Sequence, residues 1–205
     1  QNEYRVKKNQ LFNVNGRVEI KLGKYTTLRI NGGYNSRESI SEVFNNSLTY
    51  GGHTSTFNTK GINGNWGFWK RGTWVNENTL MYWRRFNKKH RLDATIGFSE
   101  QGNRTESFGF ATEMIPIESL GMSGLDTGLP YNTNAKVSTS TMLSAFARVN
   151  YDYKSKYYFT LAVRTDGSSR FPKGNRWGLF PSGAFAWRIS NERFMRGLRF
   201  ISDAK

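Results

Sequence analysis

The sequence predicts an all-β chain that forms an antiparallel transmembrane β-barrel segment of about seven strands. Hydrophobic and polar residues alternate with a period of two over several stretches. Short and long connections between those stretches alternate strictly, as in a barrel with short periplasmic turns and long extracellular loops. Aromatic residues reach 15% of the chain although all hydrophobic residues together make up only 37%. This composition is typical of a sheet that is apolar on one face and polar on the other.

The alternation predicts strands over 12–21, 27–35, 78–85, 92–99, 144–153, 159–166 and 178–188. In the first strand, Phe12, Val14, Val18 and Ile20 share one face, and Arg17 lies on the other. Segment 80–83 is apolar on both faces, so the pattern leaves its inward side open. Several of these strands are long enough to cross a bilayer when tilted.

The connections indicate which ends of the strands lie on which side of the membrane. Tight turns are predicted at 22–25, 87–90 and 154–156, and long loops at 36–76, 101–139 and 167–177. Tyr151, Tyr153, Tyr157 and Tyr158 crowd one tight turn, where an interfacial aromatic girdle is expected.

The length of the chain limits how much of a barrel it can form, and its charge indicates the kind of partner it suits. Plugged transporters have about 22 strands, which at this chain's spacing of strands requires roughly 640 residues. We therefore expect all of 1–205 to belong to one barrel domain, with the plug domain and the remaining strands outside it. The chain has 30 basic and 15 acidic residues, a net charge of +15 that suits an anionic partner. There is no cysteine, and no apolar run of the length that a transmembrane helix needs.

No arrangement of residues predicts catalysis, a metal or a cofactor, so we expect a protein that is not an enzyme. His53 and His90 are isolated from other metal ligands. The carboxylates of a predicted long loop show no glycosidase signature; these are Glu100, Glu106, Glu113 and Glu118. Gly61, Gly64 and Gly67 lack the lysine of a phosphate-binding loop. Segment 63–74 combines tryptophans with Lys70 and Arg71, which could stack on bases or sugars or pack within a loop.

A longer motif lies near the end of the chain. Residues 164–171 read RTDGSSRF, residues 175–182 read NRWGLFPS, and residues 186–195 read AWRISNERFM. Together with ARVNYDYKSKYYFTLAVR at 147–164 and, more loosely, residues 78–101, they resemble the SusC/RagA family of TonB-linked outer-membrane transporters. The signature positions are Asp166, Gly167, Ser168, Ser169, Arg170, Phe171, Asn175, Trp177, Phe180, Pro181 and Trp187.

These signature residues have structural explanations of their own. Asp166 and Gly167 are typical of a turn at a strand end, and the aromatic residues add bulk to the next strand. Pro181 cannot donate to a strand ladder and predicts a bulge or an interrupted register. Segment 190–192 predicts the start of a short helical turn at 193–195. We therefore expect an architectural role first and substrate contact second.

The resemblance implies a barrel of about 22 strands with an N-terminal plug in a Gram-negative outer membrane. It implies TonB-driven import of oligosaccharides or peptides, and a SusD-like lipoprotein at the extracellular mouth. Arg17, Arg29, Arg148 and Arg164 would then line the lumen, and Val149 and Leu161 would face lipid. Nucleic acid is not an expected partner. The alternatives are a soluble basic β-rich module that binds nucleic acid or acidic glycan, and a barrel that does not depend on TonB.

Overall fold

A computed structural model describes residues 3–197 and residue 204. Seven strands form one antiparallel sheet in chain order. They are β1 (Glu3–Lys21), β2 (Thr26–Asn45), β3 (Asn63–Phe86), β4 (His90–Glu113), β5 (Leu129–Tyr153), β6 (Tyr157–Ser168) and β7 (Trp177–Trp187). Short 3₁₀ helices cover Glu118–Thr127, Ile189–Asn191 and Arg193–Gly197. Among the described residues, no helix is long and apolar enough to cross a membrane.

The predicted strands are confirmed, but six of them are longer than the sequence pattern indicated. The predicted loop at 36–76 is mostly strand, because β2 continues to Asn45 and β3 begins at Asn63. The predicted loop at 101–139 is mostly strand as well, since β4 ends at Glu113 and β5 begins at Leu129. The loop predicted at 167–177 differs least, because β6 ends at Ser168 and β7 begins at Trp177. The long loops are therefore shorter than expected.

The tight turns lie where the sequence places them. Asn87 and Lys88 between β3 and β4 have φ of 48° and 54°, and Lys154 and Ser155 between β5 and β6 have 55° and 53°. Successive left-handed residues are typical of the hairpin turn whose twist matches that of the flanking strands. The amide of Lys156 donates to the carbonyl of Tyr153 at 3.0 Å and closes the second turn.

The register of the last three strands is continuous. β5 and β6 pair from Met142 opposite Ser168 to Tyr153 opposite Tyr157. β6 and β7 pair without a slip, and Pro181 lies directly opposite Val163. The predicted bulge at Pro181 is therefore wrong. In the described sheet β7 pairs on one side only, so a proline is compatible with the ladder where its nitrogen faces away from β6.

The strands contribute to two compact units. One unit contains Gln1–Val14, Tyr34–Thr73 and Asn103–Thr139, and is called the loop unit here. The other contains Asn15–Gly33, Trp74–Gly102 and Ser140–Lys205, and is called the turn unit because the tight turns belong to it.

The loop unit contains the buried hydrophobic cluster. Phe44 of β2 packs with Ile115 and Leu125, and Trp66 and Met122 pack against them. The connection before β3 and the connection after β4 are joined by hydrogen bonds from the amides of Met114 and Ile115 to the carbonyls of Lys60 and Ile62. Gly64 fits beside Leu125, since a Cβ there would lie 2.5 Å from its side chain.

In the turn unit the apolar face of the sheet is exposed. Leu161 on β6 is 68% exposed and Leu179 on β7 is 67% exposed, whereas no described large hydrophobic residue of this unit is buried. At about 3.3 Å per residue and a tilt of about 40°, the span from Tyr157 to Gly167 covers about 25 Å, the height of the apolar band of a membrane barrel. Lipid can therefore cover this face.

Aromatic rings line the turn end of this apolar face. Tyr153 stacks on Tyr157, and Tyr157 on Trp187, with ring centroids 6.4 Å and 6.3 Å apart. His90, which begins β4, lies 4.9 Å from the ring of Tyr153, and its Nδ1 is 2.6 Å from the hydroxyl of Tyr151. The rings form a row at the position expected for an interfacial girdle.

Candidate substrate-contacting surface

Side-chain contacts assign each strand residue to one of two faces. On the polar face, the Nε of Arg17 donates to Asn31 at 3.0 Å, and the Nε of Arg29 donates to Glu19 at 2.8 Å. On the opposite face, Phe12 lies against Tyr34 with ring centroids 6.3 Å apart. The same alternation continues through β3 to β7. Segment 80–83 is thereby resolved, because Tyr82 contacts Tyr25 on the apolar face and Trp83 lies on the polar one.

The four arginines predicted to line a lumen all lie on the polar face of the turn unit. Arg164 makes the densest contacts, since its Nε lies 2.8 Å from an Asp166 oxygen and its Nη2 donates to Ser144 at 3.1 Å. Ser144 lies directly opposite Asp166. The guanidinium also covers the ring of Phe146 at 5.9 Å. These contacts already supply hydrogen-bond partners for Arg164 and Asp166. The network therefore stabilises the polar face of the sheet more readily than it binds a solute.

A groove of about 790 Å³ lies in the loop unit. Its floor is made by small residues of adjacent strands around one indole ring: Ser39, Ser41, Gly67, Ser107, Gly109, Ala111 and Trp69. Polar and basic side chains surround that floor, namely Lys7, Asn9, Arg37, Asn132 and Asn134. The lining also includes Trp66, Phe68, Phe108, Phe110 and Tyr131. Their positions alternate with the polar-face residues, so Trp69 is the ring that the polar face presents beside many hydrogen-bonding groups.

The glycines and serines of the groove have small side chains, which leaves the space of the groove open. A Cβ on Gly67 would lie 2.9 Å from the hydroxyl of Ser41, and a Cβ on Gly109 would lie 2.9 Å from the carbonyl oxygen of Trp66. A larger residue at Gly109 would force the neighbouring strand to move, and one at Gly67 would force the Ser41 hydroxyl to move. On the rim, Asn134 donates to Ser107 at 3.0 Å, and the guanidinium of Arg71 covers the ring of Trp69 at 5.6 Å.

Charge on the rim of the groove is unbalanced. Within the described residues, the side chains of Lys7 and Arg37 form no ion pair and no hydrogen bond. The charged residues on the other face of the loop unit are paired instead, as in Lys70 with Glu38 at 3.3 Å and Arg104 with Glu106. The polar face is thus the one that has unpaired groups available for a solute.

The signature residues divide between the two faces and the loop. Trp177, Pro181 and Trp187 lie on the apolar face, and Phe180 lies on the polar face opposite Arg164. Gly167 lies opposite Trp177, whose ring covers it, so that a Cβ on Gly167 would be 2.8 Å from three ring atoms.

Asp166 and Ser168 belong to the end of β6, and the remaining signature residues belong to the loop between β6 and β7. The amide of Ser169 donates to the carbonyl of Thr141 at 2.9 Å, and its hydroxyl accepts from the amide of Thr141 at 2.8 Å. The amides of Arg170 and Phe171 donate to Ser168, and the amide of Asn175 donates to Pro172. The contacts of Ser169 hold the loop on β5. The role of these residues as a family signature stays a prediction.

The 3₁₀ turn that follows β7 is tied to the hairpin of β5 and β6 by Glu192. Its carboxylate accepts from the ammonium of Lys156 at 2.5 Å, the hydroxyl of Tyr157 at 2.9 Å and the indole of Trp187 at 3.3 Å. The hydrogen bond from Lys156, followed by that from Tyr157, holds the pKa of the Glu192 carboxyl below its usual range. The short turn expected at 193–195 is present as Arg193–Gly197.

The other residues considered for chemistry do not come together. Glu100, Glu106 and Glu113 belong to β4 and not to a loop, and Gly64 and Gly67 belong to β3. Over residues 3–197 and 204, no three His, Cys, Asp or Glu side chains are arranged to hold a metal ion. The tryptophans of segment 63–74 divide between faces, and only Trp69 lies on the polar face of the groove. Sequence reasoning missed the groove because it placed these residues in a loop.

Comparisons with known proteins agree with this architecture. No protein-family model matches the chain. The chain is 32% identical over 191 residues to TonB-dependent receptor P39 of Formosa agariphila, covering 92% of the chain and 18% of that relative. It is 46% identical over 71 residues to TonB-dependent receptor SusC of Bacteroides thetaiotaomicron, covering 35% of the chain and 7% of the relative.

A solved structure shares the fold. The structure of the RagAB peptide transporter superposes with a TM-score of 0.83 at 22% identity, covering 95% of this chain and 21% of that one. The same importer in its open-open state gives a TM-score of 0.82. The chain spans about a fifth of the length of the proteins it matches. The relatives, the transmembrane β-barrel fold and the motifs at 164–195 identify the chain as an outer-membrane barrel segment of the SusC/RagA family of TonB-dependent transporters.

Proposed function

We propose that this chain forms part of the substrate pathway of a TonB-dependent importer of oligosaccharides or peptides. The observation that carries the proposal is the groove around Trp69 on the polar face of the sheet. An aromatic ring offers an apolar surface to the face of a sugar, and the surrounding serine and asparagine side chains can bind its hydroxyls. These features favour an oligosaccharide. A peptide is the second candidate, because the RagAB protein with the same fold is named a peptide transporter.

Transport follows from release of the plug and not from chemical conversion of the solute. The polar wall would supply weak contacts along the path, and TonB would supply the energy for opening. The prediction that all of 1–205 belongs to one barrel domain, with a plug elsewhere in the protein, is part of this proposal, and so is the total of about 22 strands.

A SusD-like lipoprotein is the proposed partner at the extracellular side. The connection between β2 and β3 exposes Leu48, Tyr50 and Phe57, which are 74%, 100% and 98% exposed. Exposed apolar side chains in one segment are suited to contact with another protein. Purification of the tagged protein in mild detergent should bring down a lipoprotein in equal amount, and recovery of the barrel alone would contradict the partnership.

Uptake of labelled oligosaccharides by the host bacterium tests the groove. Trp69→Ala should raise the concentration at half-maximal uptake about fivefold to tenfold, because stacking contributes about 1 kcal/mol or slightly more. Trp83→Ala is the matched control, since Trp83 lies on the polar face of the same strand but outside the groove.

Three outcomes separate the possibilities. Uptake that persists without TonB would refute the proposed mechanism. If the bacterium takes up peptides but not oligosaccharides, and Trp69→Ala weakens peptide uptake, the substrate is a peptide. If Trp69→Ala and Trp83→Ala weaken uptake equally, the groove does not contribute to the substrate pathway.

A further inference from the structure

A cluster of cations and aromatic rings lies at two tight turns of the turn unit. It consists of Lys24 and Tyr25 from the turn between β1 and β2, and Tyr82, Arg84 and Phe86 from the end of β3. The amide of Trp83 donates to the carbonyl of Tyr25 at 2.9 Å and fixes the two segments side by side. We call these residues the turn-end cation cluster.

Both cations of this cluster lie on the same tyrosine ring. The guanidinium carbon of Arg84 is 5.0 Å from the centroid of Tyr25 and also 5.0 Å from that of Phe86. The ammonium of Lys24 is 5.5 Å from the centroid of Tyr25. Tyr82 contacts Tyr25 edge to face at 6.4 Å and extends the aromatic surface. Cation–π contact holds the two charges in place but does not neutralise them.

No acidic side chain balances these charges. Among the described ion pairs, none includes Lys24, Arg84 or the adjacent turn residues Lys88 and Lys89, all of which are exposed. Two cations held beside one ring without an acidic partner produce a local positive potential that attracts a negatively charged group. A phosphate is a group of this charge that both side chains can bind.

The position of Arg84 in its strand indicates that this anion belongs to a lipid. Its side chain is on the same face as Leu80 of β3 and Leu28 of β2, the apolar face that lipid covers. An arginine on this face is strongly destabilising at the bilayer midplane and costs little near the interface. The aromatic row at the same strand ends indicates the interface. A phospholipid can place its phosphate on Arg84 and Lys24 and its acyl chains along Leu28 and Leu80.

We propose that the turn-end cation cluster binds the headgroup of an anionic phospholipid in the periplasmic leaflet of the outer membrane. A headgroup with a net negative charge, such as phosphatidylglycerol, is favoured over phosphatidylethanolamine, whose own ammonium competes with Lys24 and Arg84 for the phosphate. Arginine can bind phosphate through two parallel hydrogen bonds, and lysine adds a point charge. The bound lipid would anchor the first two hairpins of the described sheet to the membrane.

Native mass spectrometry of the purified full-length protein tests this binding. The protein is reconstituted in nanodiscs that contain phosphatidylethanolamine and phosphatidylglycerol in equal amounts, and retained lipid is measured after extraction. The double variant Lys24→Gln/Arg84→Gln should retain about tenfold less phosphatidylglycerol, the effect of losing one charge-assisted hydrogen bond. Phosphatidylethanolamine should not change.

The matched control is Lys70→Gln/Arg104→Gln. It removes two positive charges from the same face of the sheet, but in the loop unit, where both residues are paired with glutamates. Phosphatidylglycerol retention equal to wild type in the Lys24/Arg84 variant would overturn the proposal. So would an equal loss in the control variant, because the effect would then depend on net charge alone.

A second measurement keeps the proposal testable if the double variant does not assemble. In the wild-type protein, phosphatidylglycerol retention should fall as potassium chloride is raised, since the site is exposed and salt screens it. Phosphatidylglycerol should also raise the unfolding temperature above that in phosphatidylethanolamine alone, because a ligand of the folded state stabilises it. Salt-independent retention, or equal unfolding temperatures in the two lipids, would refute the site.

Discussion

Replacement of Leu161 by arginine tests the assignment of the lipid-facing side most directly. Leu161 lies on the apolar face of β6, opposite Val149 and Gly183, and is 68% exposed. It is four residues from the aromatic row at Tyr157, which at about 3.3 Å per residue and a tilt of about 40° puts it about 10 Å into a band about 25 Å tall. The side chain is therefore close to the midplane.

At that depth an arginine destabilises a membrane barrel by about 2–4 kcal/mol. A change of this size lowers the ratio of folded to unfolded protein by a factor of about 30 to 1,000. Leu161→Ala should cost much less, because it removes apolar contact without adding charge. Ser182→Arg is the second control, since Ser182 lies on the polar face of β7 opposite Ala162 and an arginine there meets water.

The assay measures the amount of heat-modifiable, protease-resistant barrel in the outer-membrane fraction, followed by guanidinium unfolding of each variant from lipid vesicles. The expected order of stability is wild type, Ser182→Arg and Leu161→Ala close together, and Leu161→Arg well below them. Leu161→Arg that assembles as well as wild type would refute the face assignment. Ser182→Arg that fails as badly as Leu161→Arg would refute it too, because the cost would then come from bulk and not from lipid.

Two further predictions concern stability. Gly167→Ala should lower the free energy of unfolding by about 1–3 kcal/mol, because its Cβ would meet the ring of Trp177. This loss should be smaller in a Trp177→Ala background. Equal losses in the two backgrounds would show that the ring contact is irrelevant. The depressed pKa of Glu192 means that its contribution is present above the unfolded-state value of about 4.3 and is lost as pH falls through the lower folded value. Hydrogen exchange of peptides around 154–158 and 188–193 should therefore differ between wild type and Glu192→Gln at neutral pH and converge in acid; a difference that persists in acid would contradict this.

The sequence predicted the turn unit well because lipid and water enforce the alternation there. The tight turn leaves β5 and β6 a single register. From Ala147 opposite Val163 to Tyr153 opposite Tyr157, alternate pairs are apolar or aromatic on both strands. A slip of one residue would turn every hydrophobic side chain to the polar face. Strand positions, turn positions and the lipid face could all be read from that constraint.

The loop unit was harder to predict because charged pairs interrupt the face of its strands that is apolar in the turn unit. Lys70 and Glu38 pair on that face, as do Lys8 and Glu42 at 3.8 Å. Apolar rings such as Phe68 and Phe108 share that face, so the charged pairs interrupt the period-two pattern although the hydrogen-bonded ladder continues. Segment 63–74 was taken for a loop for this reason. The groove could not be predicted, since it depends on which serines and glycines of three strands become neighbours.

The distribution of buried residues distinguishes the membrane barrel from a soluble β-protein on physical grounds. In a soluble sandwich the inner faces of two sheets cover each other, and alternating residues are buried. Here no large apolar residue of the described turn unit is buried, and the buried hydrophobic residues, Phe44, Ala111, Ile115 and Leu125, all belong to the loop unit. A sheet with an uncovered apolar face would aggregate in water. Lipid therefore takes the place of a protein core in the turn unit, which is why a chain with only 37% hydrophobic residues can form strands of this length.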